Sequence, residues 1–340
     1  MSPGLRPVTE WASVDVMSDQ PRRVAIVGAG MAGLACAWRL HAAGAVVTVF
    51  DKGRQPGGRL ATRRSGNLQF DHGAQYATAR SPQFLAMLQA AGPLAAIWTE
   101  RPHDPWWVGV PGMSALAQAL VSGGAGQVRP MRHVAFLHRE PDGWRVRHRD
   151  AAATAPGLVA AEGGEVAGPF DAVVLAVPAP QAAGLLGAIE HPFASRIAAV
   201  RMAPCWALML AFDDPQSGPD IQASEGPLAW IARDSSRPGR RKQPECWVGH
   251  ASPAWSRAHL ERSPEDVLPL LQDAFAAATG IAAAPSVAAV HRWRYARVEA
   301  ALGQPCLAGP DGLAVCGDWC LGPRVEAAFE AGLAAAEAVA

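Results

Sequence analysis

The chain has 340 residues, half of them hydrophobic, with 30 basic and 30 acidic side chains and zero formal net charge. At roughly 150 residues per domain, that length implies about two domains, each able to bury its own core. Balanced charge removes the electrostatic footprint of a nucleic-acid binder, and a charged fraction of 18% excludes a disordered chain. Of the 30 basic residues two are lysines, Lys52 and Lys242; the other 28 are arginines.

The six cysteines (Cys36, Cys205, Cys246, Cys306, Cys316 and Cys320) form no C-x-x-C pair. They are too sparse for a disulfide scaffold and read as reduced thiols of a cytoplasmic protein. A zinc site at Cys316 and Cys320 would need two further ligands at sensible spacing. No apolar run approaches the ~20 residues of a bilayer span, so no membrane partner is expected. Residues 1–20 carry Arg6, Glu10, Asp15 and Asp19 without an apolar segment, unlike a secretory signal. They precede the first expected strand, with Met17 as an alternative start. We read them as a poorly ordered extension whose deletion leaves activity intact.

Arg22 to Val27 is a short apolar run bounded by glycine, as in a buried parallel strand. Met31, Leu34, Ala35, Trp38 and Leu40 follow at helical spacing, with Gly44 as the stop. Ala45 to Phe50 is the next strand, and Asp51 sits at its end. Further on, Trp106 to Val110 predicts a strand, and Gly112 to Val121 a helix. Met131–Arg139 and Trp144–Arg149, around Pro141-Asp142-Gly143, predict a hairpin. Asp171 to Val177 is a second buried-type strand. Cys205–Phe212, Leu228–Arg233 and Glu245–His250 suit an antiparallel sheet, with a basic loop from Arg233 to Lys242. Pro264–Thr279 predicts a helix, His291–Tyr295 and Leu313–Cys316 strands, and the alanine-rich end from Pro323 a last helix. The expected fold is α/β: a Rossmann-type domain interleaved with a smaller α/β domain on a mainly antiparallel sheet. The first takes residues 21–80, 125–190 and 290–340, the second 81–124 and 191–289. Sites in such proteins lie between the lobes.

Gly28-Ala29-Gly30-Met31-Ala32-Gly33 is G-x-G-x-x-G after a strand and opening a helix. Gly28 permits the tight turn, Gly30 the approach of a pyrophosphate, and Gly33 close helix packing. The phosphates then sit on the helix N-terminus, and Asp51 is placed to accept from ribose hydroxyls. This fingerprint alone does not separate FAD from NAD. Gly57-Gly58-Arg59-Leu60-Ala61-Thr62-Arg63 follows, then Phe70-Asp71-His72-Gly73-Ala74-Gln75-Tyr76. Two glycines before an arginine bring backbone and a bidentate guanidinium to phosphate oxygens. A surface turn with solvated arginines is the competing account and suits Arg64.

These strings, with Val315-Cys316-Gly317-Asp318-Trp319-Cys320 and Arg324-Val325-Glu326-Ala327-Ala328, resemble the flavin amine oxidase superfamily. Within it the chain is most similar to the bacterial renalase family. That likeness rests on Trp107-Val108-Gly109, Pro111 to Ser114, Trp206 to Phe212, Trp230, Ala232-Arg233, Trp247, His250 to Ser252, Trp255 to Arg257, and His291 to Arg297. The resemblance implies non-covalent FAD, with the N-terminus of the last helix facing the ring. Its cofactor contacts would include Met31, Ala32, Lys52, Gly58, Arg59, Ala74, Gln75, Val134, Gly317, Asp318, Arg324, Val325 and Ala328, beside the glycines and Asp51. It also implies a monomer or weak dimer that oxidises 2- or 6-dihydro-NAD(P), with O2 as acceptor and hydrogen peroxide as product.

Residue chemistry bears on that choice. Flavin amine oxidases resemble one another in a lysine near flavin N5, but Lys52 follows the ribose carboxylate and Lys242 sits in the arginine loop. Paired tyrosines are scarce too, since only Tyr76 and Tyr295 exist. A dihydropyridine donor needs no general base, so no acid–base residue is assigned. Gln75, Tyr76, Trp107, His250, Trp293 and Tyr295 are the candidate substrate lining. For His250, a structural role competes equally. His291, Trp293 and Tyr295 share a strand face that either lines the site or packs in the core. Arg233, Arg237, Arg240, Arg241 and Lys242 form either a phosphate site or a solvated loop, the latter favoured. The rival readings are an amine oxidase or desaturase on a small amine and, outside catalysis, a flavin-bound redox sensor.

Overall fold

The computed structural model describes residues 20–153 and 163–340; the expected extension of residues 1–20 lies outside them except for Gln20. A six-stranded sheet forms the centre of the larger lobe. Its order is Cys306–Ala308, Leu313–Cys316, Ala172–Leu175, Arg23–Val27, Val46–Phe50, Gln127–Arg129. All neighbours pair in parallel except the edge strand Cys306–Ala308. The central strands are β-branched and apolar because both faces are covered: Val24, Ala25, Ile26 and Ala172 to Leu175 have no exposed surface.

Helix Met31–Ala42 covers this sheet and packs against the last helix, Val325–Val339. Their approach needs small residues. A Cβ on Gly332 would lie 2.2 Å from the Ala32 carbonyl oxygen. The expected hairpin is present as Arg132–Glu140 and Gly143–Asp150, and a third strand, Glu165–Phe170, extends it.

The second sheet is antiparallel, ordered Ile221–Ala223, Leu228–Arg233, Glu245–Ala251, Arg201–Phe212, Val287–Ala300. Residues 290–300, grouped by sequence with the first lobe, therefore run in the sheet of the second. Alternation along Arg201–Phe212 gives the sheet two different faces. Trp206, Leu208, Leu210 and Phe212 meet Val267, Leu271 and Phe275 of helix Pro264–Thr279. Met209 and Ala211, with Cys246 and Val248, meet Leu68 and Phe70 of the hairpin Thr62–Ser65/Leu68–Asp71. That second contact joins the lobes. Helices Pro82–Ala90 and Ser114–Ser122 contribute Phe84, Leu88, Leu116 and Leu120 to the larger core, although their sequence position suggested the smaller lobe. No helix among the described residues is long and apolar enough to cross a membrane.

Two glycine substitutions should act in opposite directions. Gly332→Ala forces the two helices apart and should cost about 1–3 kcal/mol. Gly184, exposed in helix Ala179–Gly187 with open space around it, should gain roughly 0.5–1 kcal/mol as alanine. Urea unfolding of both variants checks the pair; a neutral Gly332→Ala would contradict the close approach.

Candidate functional site

The glycine fingerprint has the shape its spacing requires. Gly28 has φ of +107°, and a Cβ there would meet the Ala176 carbonyl oxygen at 2.6 Å. A Cβ on Gly33 would lie 1.9 Å from the Gly28 oxygen, whereas at Gly30 no atom stands within 4 Å. Gly30 caps helix Met31–Ala42 without a side-chain bond, so the first-turn N–H groups remain available to an anion. An open cradle at a helix N-terminus is what a pyrophosphate-bearing cofactor needs.

Asp51 ends the second strand. Its Oδ2 accepts from Ala29 N–H and its Oδ1 from Gly53 N–H, both at 2.6 Å. Arg132 N–H donates to the Asp51 carbonyl at 2.8 Å, which brings buried Val134 to the same end of the sheet. Lys52 is exposed.

Three distant strings meet beyond the fingerprint. Gly57 N–H donates to the Ala29 carbonyl at 2.8 Å, which docks the Gly57-Gly58-Arg59 turn on the glycine loop. Ala74 N–H donates to the Arg59 carbonyl at 2.8 Å, and a Cβ on Gly73 would overlap that oxygen. The Arg59 guanidinium grips the Asp318 carboxylate through two bonds of 2.8 and 2.6 Å. The arginine expected on phosphate and the aspartate expected on the cofactor are thus partners of each other. Arg324 caps the last helix, with Val325 partly exposed and Ala328 buried behind it. Buried Glu326 holds the Arg80 and Ser81 N–H groups, each at 2.6 Å, pinning that helix start to the chain beyond Tyr76.

The segment from Asp71 to Tyr76 carries the junction between lobes. The His72 carbonyl oxygen lies 2.9 Å from Trp293 Nε1, which donates to it, and 3.3 Å from His250 Nε2. A carbonyl only accepts, so this contact uses the Nε2–H tautomer of His250, whose Nε2 also lies 3.4 Å from Gln75 Nε2. Gln75 Oε1 accepts from Trp230 Nε1 at 3.2 Å and from Arg237 Nη2 at 2.6 Å. Its Nε2 donates to the carbonyls of Asp71 at 2.6 Å and Gly73 at 3.1 Å. Tyr76 stacks on Trp106 at 3.8 Å, with Trp230 5.9 Å away. Of the adjacent tryptophans it is therefore Trp106 that joins this aromatic group. Trp107, one residue on along the strand, is partly buried against the larger core, and its backbone pairs with Ala77. His291 and Trp293 both contact the His72 ring, at 4.8 and 5.2 Å, while Tyr295 further along is half-buried.

The basic loop differs most from its sequence reading. Arg237 and Arg240 are buried with Asp71 and Asp234 in one ion cluster. Arg237 Nε lies 2.9 Å from Asp234 Oδ1, and Arg240 Nη1 3.4 Å from Asp234 Oδ2. Arg240 Nη2 also pairs with Asp71. Loop composition reads as solvated because charged residues rarely bury unless paired, and of the two pairing carboxylates Asp234 lies in the loop itself while Asp71 is distant in sequence. Burial, reinforced by Asp71, pushes the Asp234 carboxyl up to about 6 against the pull of Arg237 and Arg240. Burial first, then neighbouring His291, Arg63 and His250, lowers His72 to about 4. Burial likewise lowers His250 to about 4.

The geometry can be set beside known proteins. A family model described as "Flavin containing amine oxidoreductase" matches residues 95–340, most of the chain. The chain belongs to this flavin-containing amine oxidoreductase family. A second model, "NAD(P)-binding Rossmann-like domain", matches residues 26–91. Protoporphyrinogen oxidase 2, chloroplastic/mitochondrial, of Arabidopsis thaliana is 39% identical over 71 residues, 21% of this chain and 14% of that protein. The L-amino-acid oxidase of Daboia russelii is 46% identical over 48 residues, 14% of this chain and 10% of that protein. The 4,4'-diapophytoene desaturase of Staphylococcus haemolyticus is 48% identical over 50 residues, 15% of this chain and 10% of that protein. The matches to these curated relatives thus span a small part of their length. Among solved structures, one from Exiguobacterium sp. 255-15, described as "Putative protoporphyrinogen oxidase", aligns with a TM-score of 0.71 at 13% identity. It covers 94% of this chain and 99% of that one, a likeness of fold. Membership of the family implies a flavin cofactor and oxidoreductase chemistry, and the cradle at Gly30 suits such a group.

Both junction histidines should stay neutral well below the ordinary imidazole range. Folded values near 4 lie below the unfolded 6.5, so unfolding takes up protons in between. Their contribution to stability is intact above about pH 6.5 and is lost as pH falls toward 4, roughly 1–3 kcal/mol for each ring. Histidine-selective NMR with acid unfolding of His250→Gln checks this; protonation of either ring above pH 6 would refute it.

Proposed function

We propose that the protein is an oxidase of 2- or 6-dihydro-NAD(P), holding FAD non-covalently along the Rossmann lobe and using oxygen as acceptor. The observation that carries this reading is the chemistry of the junction, where among the described residues the carboxylates are committed to arginines and burial leaves the imidazoles of His72, His250 and His291 weak as bases. Asp71 and Asp234 are committed to Arg237 and Arg240. His72 and His250 are depressed titrants, and the Nε2–H of His250 is tied to a carbonyl. Both lysines are exposed, and Lys242 Nζ donates to the Ser235 carbonyl at 2.9 Å. Removing a proton from an amine calls for an acceptor, whereas a dihydropyridine becomes aromatic on losing hydride alone.

Bound there, FAD would accept hydride and pass the electrons to oxygen as hydrogen peroxide. The Gly28–Gly33 loop and the first-turn N–H groups would hold its pyrophosphate, and Asp51 its adenosine ribose. Arg59, Asp318 and the N-terminus of the last helix would border the ring end, with Ala74 and Gln75. Tyr76, Trp230, His250 and Trp293 would orient a planar substrate and exclude water, with Trp107 and Tyr295 further out. Neutral His250 keeps an Nδ1 lone pair for a substrate N–H.

Anaerobic mixing with the 2- and 6-dihydro isomers should bleach the flavin band near 450 nm faster than ordinary 4-dihydro-NADH does. Equal rates with all three would end this reading. The second reading, oxidation of a small amine, is favoured by the short match to an L-amino-acid oxidase. Peroxide release from a panel of primary amines and polyamines, with none from the dihydro isomers, would establish it instead.

A further inference from the structure

Arg237 has no exposed side-chain surface, yet it belongs to a loop whose composition is that of solvent-facing chain. Its guanidinium uses three directions at once. Nε faces Asp234 at 2.9 Å, Nη1 donates to the Gln75 carbonyl, and Nη2 donates to Gln75 Oε1 at 2.6 Å. The carbon of the guanidinium lies 4.3 Å from the centre of the Trp98 ring, which fixes its plane. Trp98 is itself anchored, since its Nε1 donates to Ser236 Oγ at 3.1 Å. A lysine could supply one of these three contacts at full geometry, because its donors radiate from a single point.

The consequence falls on Gln75. Two donors converge on Oε1, from Arg237 and Trp230, and two carbonyls converge on Nε2, from Asp71 and Gly73. Flipping the amide would set its NH2 against a guanidinium and an indole N–H, and its oxygen against two carbonyls. One orientation is therefore enforced, and Arg237 holds the main-chain carbonyl of the same residue as well. The side-chain amide is thereby saturated and has little capacity left for substrate.

We propose that Arg237 is a positioning residue, acting through Gln75 to fix the Gly73–Tyr76 turn against the flavin ring. Asp71 and Asp234 offset its charge, so the effect is geometric and not a field on the ring. The proposal rests on the reading that FAD occupies the Rossmann lobe; it does not depend on which substrate is oxidised.

The test uses the FAD-loaded full chain as wild type, R237K, R237M, Q75L and the R237M/Q75L double variant. FAD dissociation constants, visible flavin spectra and midpoint potentials are measured, with thermal unfolding as the fold control. R237K keeps the charge and covers the case in which R237M fails to fold. We expect R237K, R237M and Q75L each to weaken FAD binding roughly tenfold, the scale of one misplaced charge-assisted hydrogen bond, and to alter the flavin spectrum. The double variant should do no more than either single one, because the two residues act as a unit. Full additivity in the double variant, or a folded R237K with unchanged spectrum and FAD affinity, would overturn the proposal. A wild-type chain that binds no FAD would instead overturn the reading beneath it.

Discussion

The arrangement of the two lobes depends on one short stretch of main chain, Asp71 to Tyr76. It leaves the hairpin that packs on the second sheet and runs directly to the turn docked on the glycine loop. Its carbonyls at Asp71, His72, Gly73 and Gln75 all accept side-chain donors, three kinds of which come from the second lobe or its loop. Main-chain acceptors in an irregular buried segment must be paired, since each unpaired one costs about 1–3 kcal/mol. The second lobe supplies the partners of the His72 and Gln75 carbonyls and so is not free to rotate over the first without abandoning them. A site built between the lobes inherits that rigidity.

The same constraint explains why the junction is rich in charge but poor in reactivity. Four ionised groups are buried together, and such a set persists because each guanidinium meets a carboxylate with several contacts. The imidazoles beside it are kept neutral by burial and by surrounding cations. A region assembled this way fixes distances well and exchanges protons poorly. It suits a reaction in which orientation of a planar donor matters more than deprotonation.

Much of the Rossmann half was legible because its signals are local. Gly28 needs glycine for its positive φ and Gly33 for the carbonyl of Gly28 one turn back, while Gly30 opens a space at the helix start, and Asp51 follows at a spacing set by one helix and one strand. Strand alternation also carried far, since Trp206, Leu208, Leu210 and Phe212 on one face and Met209 and Ala211 on the other follow from period two. What stayed hidden was long-range pairing. Nothing in the run from Arg233 to Lys242 distinguishes Arg237 and Arg240 from exposed Arg241, because their partner Asp71 lies more than 160 positions away. Likewise Trp106 and Trp107 are equivalent as residues. The pairing of Ala77 with Trp107 decides which of them faces Tyr76.

The shortage of lysine can be weighed by what each arginine does. Arg145, Arg257 and Arg294 form solvent-exposed pairs with Asp142, Glu299 and Glu261, which water screens and on which the fold depends little, although Arg257 and Arg294 hold their carboxylates with both Nη atoms. Compositional bias is a sufficient account of those. Arg59, Arg237 and Arg240 are different, for each is buried or part-buried and spans acceptors on two different residues with its planar fork. Arg59 ties the glycine-rich turn to Asp318 across 259 residues of sequence, closing one end of the candidate site. Arg237 and Arg240 close the other end around Asp71. A general preference for arginine thus leaves most of the surface unaffected, while at these three positions the geometry itself selects against lysine.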